Sequence, residues 1–358
     1  MCGIAGLVSN NEVRADDIIT SMLAAIEHRG RDGQGILQCN SRVVFGHTRL
    51  SIIDTTNAGA QPFVYKSLSL TFNGEIYNYL ELKQMLLREK VTFETMSDTE
   101  VLIKLIYYKG IDSLSLVEGM FALALFDSVD NKVYLARDYF GEKPLFYSVL
   151  DDGTVLFSSE IKAIFSTGLI EKKLCSTAIN QFLTLLYTHG ETTFYNNIKS
   201  CLPNTLVTID LSSFNTLTVK TIKANEPNVN YGSNWRETIV DSVSKQLRAD
   251  VPTGLWLSGG VDSSVIAAVA REELGLKLQT FTIGFHNSKF LDEKNHATQI
   301  ANLFKHENTT LNLDSRFSEA ELNELIHHMD NPVANASILL YNRLSIESRK
   351  YIKVALSG

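Results

Sequence analysis

Two stretches of the chain carry residue types that can do covalent or ionic chemistry. The first is at the start. Cys2 follows the initiator Met directly, and a residue this small permits Met1 removal, which leaves a thiol beside its own α-amine. A free α-amine titrates near ~7.7–8.0, so near neutrality it can take a proton, and a thiol is a fair nucleophile. One residue then supplies both nucleophile and base. Taken alone, Cys2 reads as a small apolar residue of a first strand. The second stretch is Leu255-Trp-Leu-Ser-Gly-Gly-Val-Asp-Ser-Ser264, which reads as strand, Gly-rich turn and helix. Backbone N–H groups and a helix N-terminus facing one space make an anion cradle. It lacks the Gly-Lys-Ser/Thr of a Walker loop, and Asp262 inside it would repel phosphate unless a Mg2+ bridges the two.

The elements that must position these residues differ between the halves. Short β-type runs dominate the first ~200 residues: 3–9, 43–47, 68–73, 121–127, 132–138, 145–149 and 154–158. Helical spacing interrupts them at 15–27, 79–89, 98–109 and 160–167. This pattern predicts an α+β domain with antiparallel sheets, and Asp127 to Asn131 reads as a hairpin turn. A polar, Asn-rich stretch over 212–232 is the expected linker between a domain at 1–211 and a second at 233–358. The second half alternates: helix 235–248, strand 254–257, helix 263–274, strand 279–285, helix 292–304, strand 307–313, helices 318–328 and 338–350, and strand 352–356. Such alternation predicts an α/β domain with a mostly parallel sheet covered on both faces. The last run reads as a buried strand entering a loop, so the chain is expected to be C-terminally truncated.

Composition narrows the class. The 358 residues are 20% charged and 44% hydrophobic, which suits globular domains rather than disordered or fibrous chains. A net charge of -7 argues against a surface built to capture a nucleic-acid backbone. No segment approaches the ~18 apolar residues that span a bilayer. Four widely spaced cysteines without a C-x-x-C pair suit free thiols in a reducing compartment, and a cytoplasmic location is expected.

Nine elements in order carry a resemblance: Met1-Cys-Gly-Ile-Ala-Gly6, His28-Arg-Gly-Arg-Asp-Gly33, Arg49-Leu-Ser-Ile-Ile53, Gly59-Ala-Gln-Pro62, Asn73-Gly-Glu-Ile-Tyr-Asn78, Ser97-Asp98, Glu118-Gly-Met-Phe-Ala122, Arg137-Asp138 and Gly141-Glu-Lys-Pro144. Together they resemble the glutaminase domain of class II glutamine amidotransferases. The resemblance implies an N-terminal-nucleophile hydrolase fold, antiparallel sheets sandwiched by helices. It makes Cys2 the nucleophile, with the Asn73 side chain and the Gly74 N–H as oxyanion donors. By the same resemblance Arg49 clamps the α-carboxylate of L-glutamine, Leu50, Ser51, Ile52 and Ile53 line the pocket, and Glu75 and Asp98 hold the ammonium. Asn73-Gly74 read alone suits a hairpin turn as well. The chain departs from the pattern at Arg31, where Pro is usual, and at Met96, where Gly commonly stands. His28 and His47 are expected to be structural.

The Ser258 to Ser264 loop is similar to the PP-loop of the ATP pyrophosphatase family, which implies a Rossmann-like domain, cleavage of ATP between its α- and β-phosphates, and an acyl-adenylate. Ser258, Gly259, Gly260, Ser263 and Ser264 would then hold pyrophosphate, with Asp262 on Mg2+. Trp256 and Ile283 would pack beside adenosine, and Ser357 and Gly358 would approach the nucleotide. Asp292-Glu293 and the run Asp330 to Ser337 match further, with Asn335 where Asp is usual. Over its whole length the chain resembles the glutamine-hydrolysing asparagine synthetases, which implies L-aspartate as acceptor, an apolar passage for ammonia between the domains, and a family that continues beyond Gly358 and often dimerises. Two alternatives stay open: another carboxylate acceptor, as in surface-sugar, antibiotic or peptide biosynthesis, or a sensing homologue that no longer catalyses.

Overall fold

The computed structural model describes residues 1–13, 15–213, 217–222, 234–285, 294–313 and 316–358. The chain forms two compact units, Met1–Pro227 and Asn228–Gly358.

The first unit holds strands β1 (Gly3–Val8), β2 (Gly33–Asn40), β3 (Val43–Arg49), β4 (Phe63–Tyr65), β5 (Leu68–Ile76), β6 (Gly119–Asp127), β7 (Lys132–Arg137), β8 (Phe146–Val149), β9 (Val155–Ser158), β10 (Lys199–Ser200), β11 (Thr205–Asp210) and β12 (Leu217–Thr221). They make two six-stranded sheets, β10-β8-β9-β1-β3-β2 and β12-β11-β7-β6-β5-β4, with every pair antiparallel. Helices α1 (Asp16–Ala25), α2 (Tyr79–Arg88), α3 (Asp98–Lys109), α4 (Ile161–Ser166) and α5 (Ser176–Leu185) complete the unit.

The layering follows from strands that are apolar on both sides. In β6, Ala122, Ala124 and Phe126 join Ile4, Val8, Val43 and Phe45 of the other sheet in one core. The alternate residues Phe121, Leu123 and Leu125 pack with Leu82 and Leu86 of α2 and Val101 to Ile106 of α3. Likewise Ala5, Leu7 and Val44 turn outward onto Ile19, Met22 and Leu23 of α1 and Ile161 and Ile164 of α4. Side chains that alternate along a strand can therefore feed two cores at once, and the result is helix, sheet, sheet, helix. Helix α3 begins at Ser97, whose hydroxyl accepts from the Thr99 N–H at 3.1 Å, and ends at Gly110 with φ of 79°.

The second unit holds α6 (Trp235–Gln246), β13 (Thr253–Trp256), α7 (Val261–Ala268), β14 (Gln279–Phe285), α8 (Lys294–Leu303), β15 (Glu307–Leu313), α9 (Glu319–His328), α10 (Ser337–Ser348) and β16 (Val354–Ser357). Its sheet is parallel in the order β15-β14-β13-β16. One face packs on Val243 of α6, Ala267 of α7 and Ala297 and Ala301 of α8, the other on Leu344 of α10. The chain runs outward from β13 to β15 and then returns to the far side of β13. That reversal opens a crevice at the carboxyl ends of β13 and β16.

The structure corrects several expectations. The stretch 212–232 contains β12, which pairs with β11 over Leu206↔Lys220 to Ile209↔Leu217, so the first unit extends through the expected start of the linker. Four of its five residues are exposed, and an edge strand of that kind shows no apolar alternation to read. Asn73-Gly74 is not a turn: it lies inside β5, opposite Ala122 and Phe121. The expected helix 263–274 starts earlier, at Val261, and changes to a π turn over Val269–Glu273. Asp292 and Glu293 lie outside the described residues.

Phe157 is fully buried between the two sheets and meets Phe45 edge-on, centroids 5.6 Å apart at 79°. Phe157→Ala should lower stability by about 3–5 kcal/mol, read as a lower urea midpoint for the first unit at unchanged slope.

Candidate active site

Strand alternation brings the first set of residues together. Ile4 and Val8 point between the sheets, and Cys2 continues that parity just before β1. In β3 the inward parity of Val43 and Phe45 passes to His47 and Arg49; His47 Nε2 reaches the Phe72 carbonyl of the opposite sheet at 3.1 Å. In β5 the Thr71 hydroxyl donates to the Gly46 carbonyl at 3.2 Å, so Thr71, Asn73 and Glu75 face the first sheet. Cys2, Arg49, Asn73 and Glu75 therefore share the space between the sheets.

The Cys2 thiol sits against Leu50, donating to its carbonyl at 3.6 Å and accepting from its N–H at 3.4 Å. Desolvation pushes the thiol pKa up; the Leu50 contact and the α-amine oppose this, and the charges of Glu75 and Asp98 add to it. With Met1 in place the α-amine is lowered to about 6, chiefly by desolvation, with Arg29 and Lys143 acting in the same direction. Burial thus favours the neutral form of both the Cys2 thiol and the Met1 amine.

Asn73 is 1% exposed, and neither its Oδ1 nor its Nδ2 has a hydrogen-bond partner among the described residues. A buried amide left unpaired costs roughly 1–3 kcal/mol, so the Asn73 amide calls for a water or a ligand to complete it. Beside it, the free edge of β5 is capped at two points: the Phe72 N–H donates to Gln61 Oε1 at 2.7 Å and the Ile76 N–H to Asp98 Oδ2 at 3.1 Å. By the two-residue repeat, the Gly74 N–H points to that same edge, between them. A Cβ at Gly74 would stand 2.2 Å from the Met120 carbonyl oxygen and 2.7 Å from Phe121 Cα, so only glycine fits there.

Arg49 is fixed by its own loop: Nη1 donates to the Thr56 carbonyl at 2.6 Å and Nη2 to that of Asp54. Leu50 and Ile52 are half-buried, Ser51 and Ile53 buried, and the Ser51 N–H donates to Asp32 Oδ2 at 2.8 Å. Asp98 opens α3 fully enclosed, and burial raises its carboxyl to about 6. Asp54 ties the two together by accepting the Met96 N–H at 3.0 Å. The Met96 side chain is exposed, with Sδ accepting from Lys83 Nζ at 3.9 Å, and its φ is not positive, so the departure from Gly does not disturb Asp98. Arg31 is exposed and bridges to Arg49 through the backbone. His28 belongs to an ion cluster, and burial drives buried His47 down to about 3, so it stays neutral.

Sequence reasoning missed the supports of this site. Arg29 donates from Nε to the Cys2 carbonyl at 2.9 Å and from Nη1 to Glu160 Oε1 at 2.8 Å. Burial alone would raise the Glu160 carboxyl, but hydrogen bonds from His28, Lys162 and Arg29 and the charge of Arg29 hold it down at about 2. Asp138, fully buried, accepts N–H bonds from Phe121, Phe140, Glu142 and Lys143 at 2.9–3.1 Å. Arg29 and Asp138 lie in two of the nine ordered motifs, which was the available signal; Glu160 has none.

In the second unit, Gly260 caps α7, and Ser258, Gly260 and Ser263 interlock: Ser258 Oγ lies 3.1 Å from Ser263 Oγ and accepts the Gly260 N–H at 3.2 Å. Gly259 has φ of 84°, and a Cβ there would meet the Ala297 nitrogen at 2.7 Å. The Ser264 hydroxyl is buried with no partner among the described residues, while Asp262 is exposed at the helix start. Next to this loop a cavity of about 350 Å³ is lined by Trp256, Ser258, Ile283, Ser357 and Gly358, together with Phe281 and, from α10, Tyr341 and Leu344. Trp256 stacks on Tyr341 at 6.1 Å and 18°, and its Nε1 donates to Ser348 Oγ at 3.2 Å. Asn335 accepts the Ser337 N–H at 2.9 Å and so helps start α10. Among the described residues no three His, Cys, Asp or Glu gather as a metal cage.

Two antiparallel sheets packed face to face between helices, followed by a parallel α/β unit with a Gly-rich turn at a helix start, have the fold class of glutamine amidotransferase units joined to a Rossmann-like unit. Comparison narrows it. The family model described as glutamine amidotransferase domain matches residues 1–218, and that described as asparagine synthase matches 234–358. "Asparagine synthetase [glutamine-hydrolyzing] 1" of Bacillus subtilis is 34% identical over 100% of this chain, which spans 57% of that protein. "Putative asparagine synthetase [glutamine-hydrolyzing] 2" of Methanocaldococcus jannaschii is 31% identical over 100% of this chain and 74% of its own length. The chain belongs to the glutamine-hydrolysing asparagine synthetase family. Among the described residues no helix is long and apolar enough to cross a membrane.

Because the folded Glu160 carboxyl lies below its unfolded value, its contribution is present above about pH 4.5 and is lost as pH falls towards about 2. Glu160→Gln should therefore destabilise by up to about 3 kcal/mol at pH 7, by about 1.4 kcal/mol near pH 3 and by little near pH 2, measured by urea unfolding from pH 7 to 2.

Proposed function

We propose that this chain carries the catalytic residues of a glutamine-dependent amide-forming ligase that converts L-aspartate to asparagine. The observation that carries the glutaminase half is the buried, unpartnered Asn73 amide facing the same space as Cys2. In this reading the mature Cys2 amine takes the thiol proton, sulfur attacks the glutamine side-chain carbonyl, and the oxyanion is met by Asn73 Nδ2 and the Gly74 N–H. The amine returns its proton to the leaving ammonia, and water then releases glutamate from the thioester. Arg49 is suited to the α-carboxylate, with Leu50 to Ile53 lining the pocket. Glu75 and Asp98 suit the ammonium, and Asp98 must be ionised to serve.

The second unit is suited to activating the acceptor. The orphaned Ser264 hydroxyl, the interlocked Ser258 and Ser263 and the Gly259-Gly260 backbone fit a pyrophosphate group, and the aromatic and aliphatic wall of Trp256 and Ile283 suits a nucleoside. Asp262 would hold Mg2+, which supplies charge neutralisation where ATP meets an acidic residue. The acceptor carboxylate displaces pyrophosphate from ATP, and ammonia then displaces AMP to form the amide. The glutaminase residues lie within 1–211 and the nucleotide residues within 233–358.

The test is glutamine, Mg-ATP and aspartate with pyrophosphate and asparagine as readouts. Aspartate-dependent release of both supports the reading; glutamate without pyrophosphate overturns aspartate as acceptor. Cys2→Ala should cut glutamine hydrolysis by on the order of 10⁴-fold and leave Mg-dependent nucleotide binding intact. Asp262→Ala should abolish that binding and leave glutaminase activity unchanged.

A further inference from the structure

The loop after β7 carries a buried lysine aimed at the N-terminus. Lys143 is 6% exposed, and its backbone is pinned on both sides. Its N–H donates to Asp138 Oδ2 at 3.0 Å, and its carbonyl accepts from Arg137 Nε at 2.7 Å. The Phe140 and Glu142 N–H groups bind the other Asp138 oxygen, which fixes the loop between. From this rigid base the Lys143 ammonium donates to Met1 Sδ at 3.2 Å. A thioether is a weak acceptor for a buried cation. It also belongs to the residue whose removal creates the Cys2 amine. Once Met1 is gone that acceptor is lost, while the pinned backbone and the burial of the side chain keep Lys143 rooted beside the new N-terminus.

We propose that Lys143 is a positioning residue for glutamine hydrolysis: its charge, held beside the N-terminus, keeps the α-amine of mature Cys2 unprotonated so that the amine can act as base. This rests on Cys2 being the nucleophile. The groups that face the N-terminal amine are Arg29 and Lys143, which favour its neutral form, and Cys2 and Glu75, which favour its charged form. Lys143 itself is faced by Arg29, Glu142, Glu75 and Asp138. Arg29 acts in the same direction and ahead of Lys143, with Glu160 2.8 Å from its Nη1, so Lys143 adds to its effect; the contact described for the Lys143 ammonium is an uncharged sulfur. A cation so placed raises the energy of a second cation and leaves a neutral amine untouched.

Competitive acetylation of the N-terminal amine against pH, read by mass spectrometry of the N-terminal peptide, reports the amine directly. It is done in a Cys2→Ser chain, so that the thiol does not compete. Lys143→Met should move the half-point of acetylation up by about one pH unit, and Lys143→Arg should leave it near the parent. In the chain with Cys2, the acid limb of kcat/KM for glutamine should move up with it while KM on the plateau holds. An unmoved half-point in a folded Lys143→Met chain, or in Lys143→Gln if the Met variant does not fold, overturns the proposal. So does a KM raised at every pH with the limb in place. The acetylation reads the same whether or not the parent hydrolyses glutamine, so failure of the nucleophile reading would appear separately, as a parent without glutaminase activity.

Discussion

Two sheets pressed face to face leave each strand residue one of two directions, towards the other sheet or towards a helix layer. The first site depends on that restriction. Cys2 and Arg49 belong to one sheet and Asn73 and Glu75 to the other, and parity alone turns all four into the same gap. Along most of the gap the inward positions are apolar, as with Ile4, Phe45 and Ala124. Near the start of β1 and the end of β3 they become chargeable or polar, and the core passes into a site without a change of architecture. A one-residue slip of β5 against β6 would turn Asn73 and Glu75 outward into the helix layer, so the pairing Asn73↔Ala122 is as much a part of the site as the side chains it orients.

The second unit reaches the same end by topology. Parallel strands leave their carboxyl ends on one edge, and the reversal of order between β13 and β16 opens that edge beside Trp256 and Ser357. The Gly-rich turn falls where the crevice opens, and α10 supplies the opposite wall through Tyr341 and Leu344. Neither helix residue was read from sequence as part of this cavity, because α10 has apolar residues around much of its circumference and its spacing does not single out one face.

Legibility in the sequence tracked burial and locality. Strands inside both sheets, such as β1, β6 and β7, stand out as apolar runs, and α3, β14 and β15 have the bounds their spacing predicts. Edge strands do not: β2 and β12 are largely exposed and carry no pattern strong enough to separate them from loop. Asn73-Gly74 has the composition of a turn and the position of a mid-strand pair, and its neighbours across the sheet, some fifty residues away, decide between them. The residues proposed to touch substrate were legible because they sit in compact motifs. Glu160, far along the chain from Arg29 and His28, became visible only when the fold closed on it.

The supports share one physical strategy. In the proposed reading a nucleophile whose base is its own amine needs an environment that refuses charge until substrate arrives, and around Cys2 the buried charges are largely tied elsewhere. Arg29 holds the Cys2 carbonyl through Nε while Glu160 pairs its Nη1, and Glu160 is kept ionised by hydrogen bonds from His28, Lys162 and Arg29 and by the charge of Arg29. Asp138 spends its acceptors on backbone N–H groups and so presents a rigid loop rather than a free carboxylate. Asn73, Asp98 and Lys143 stand apart from this economy of pairing: an amide without partners, a carboxyl raised by burial and a cation on a thioether are each disfavoured in the folded chain by itself. All three gather at the N-terminus, which is where a dipolar substrate and a developing oxyanion would relieve them. Local instability confined to one end of an otherwise well-packed sandwich is what distinguishes this gap from the core it continues.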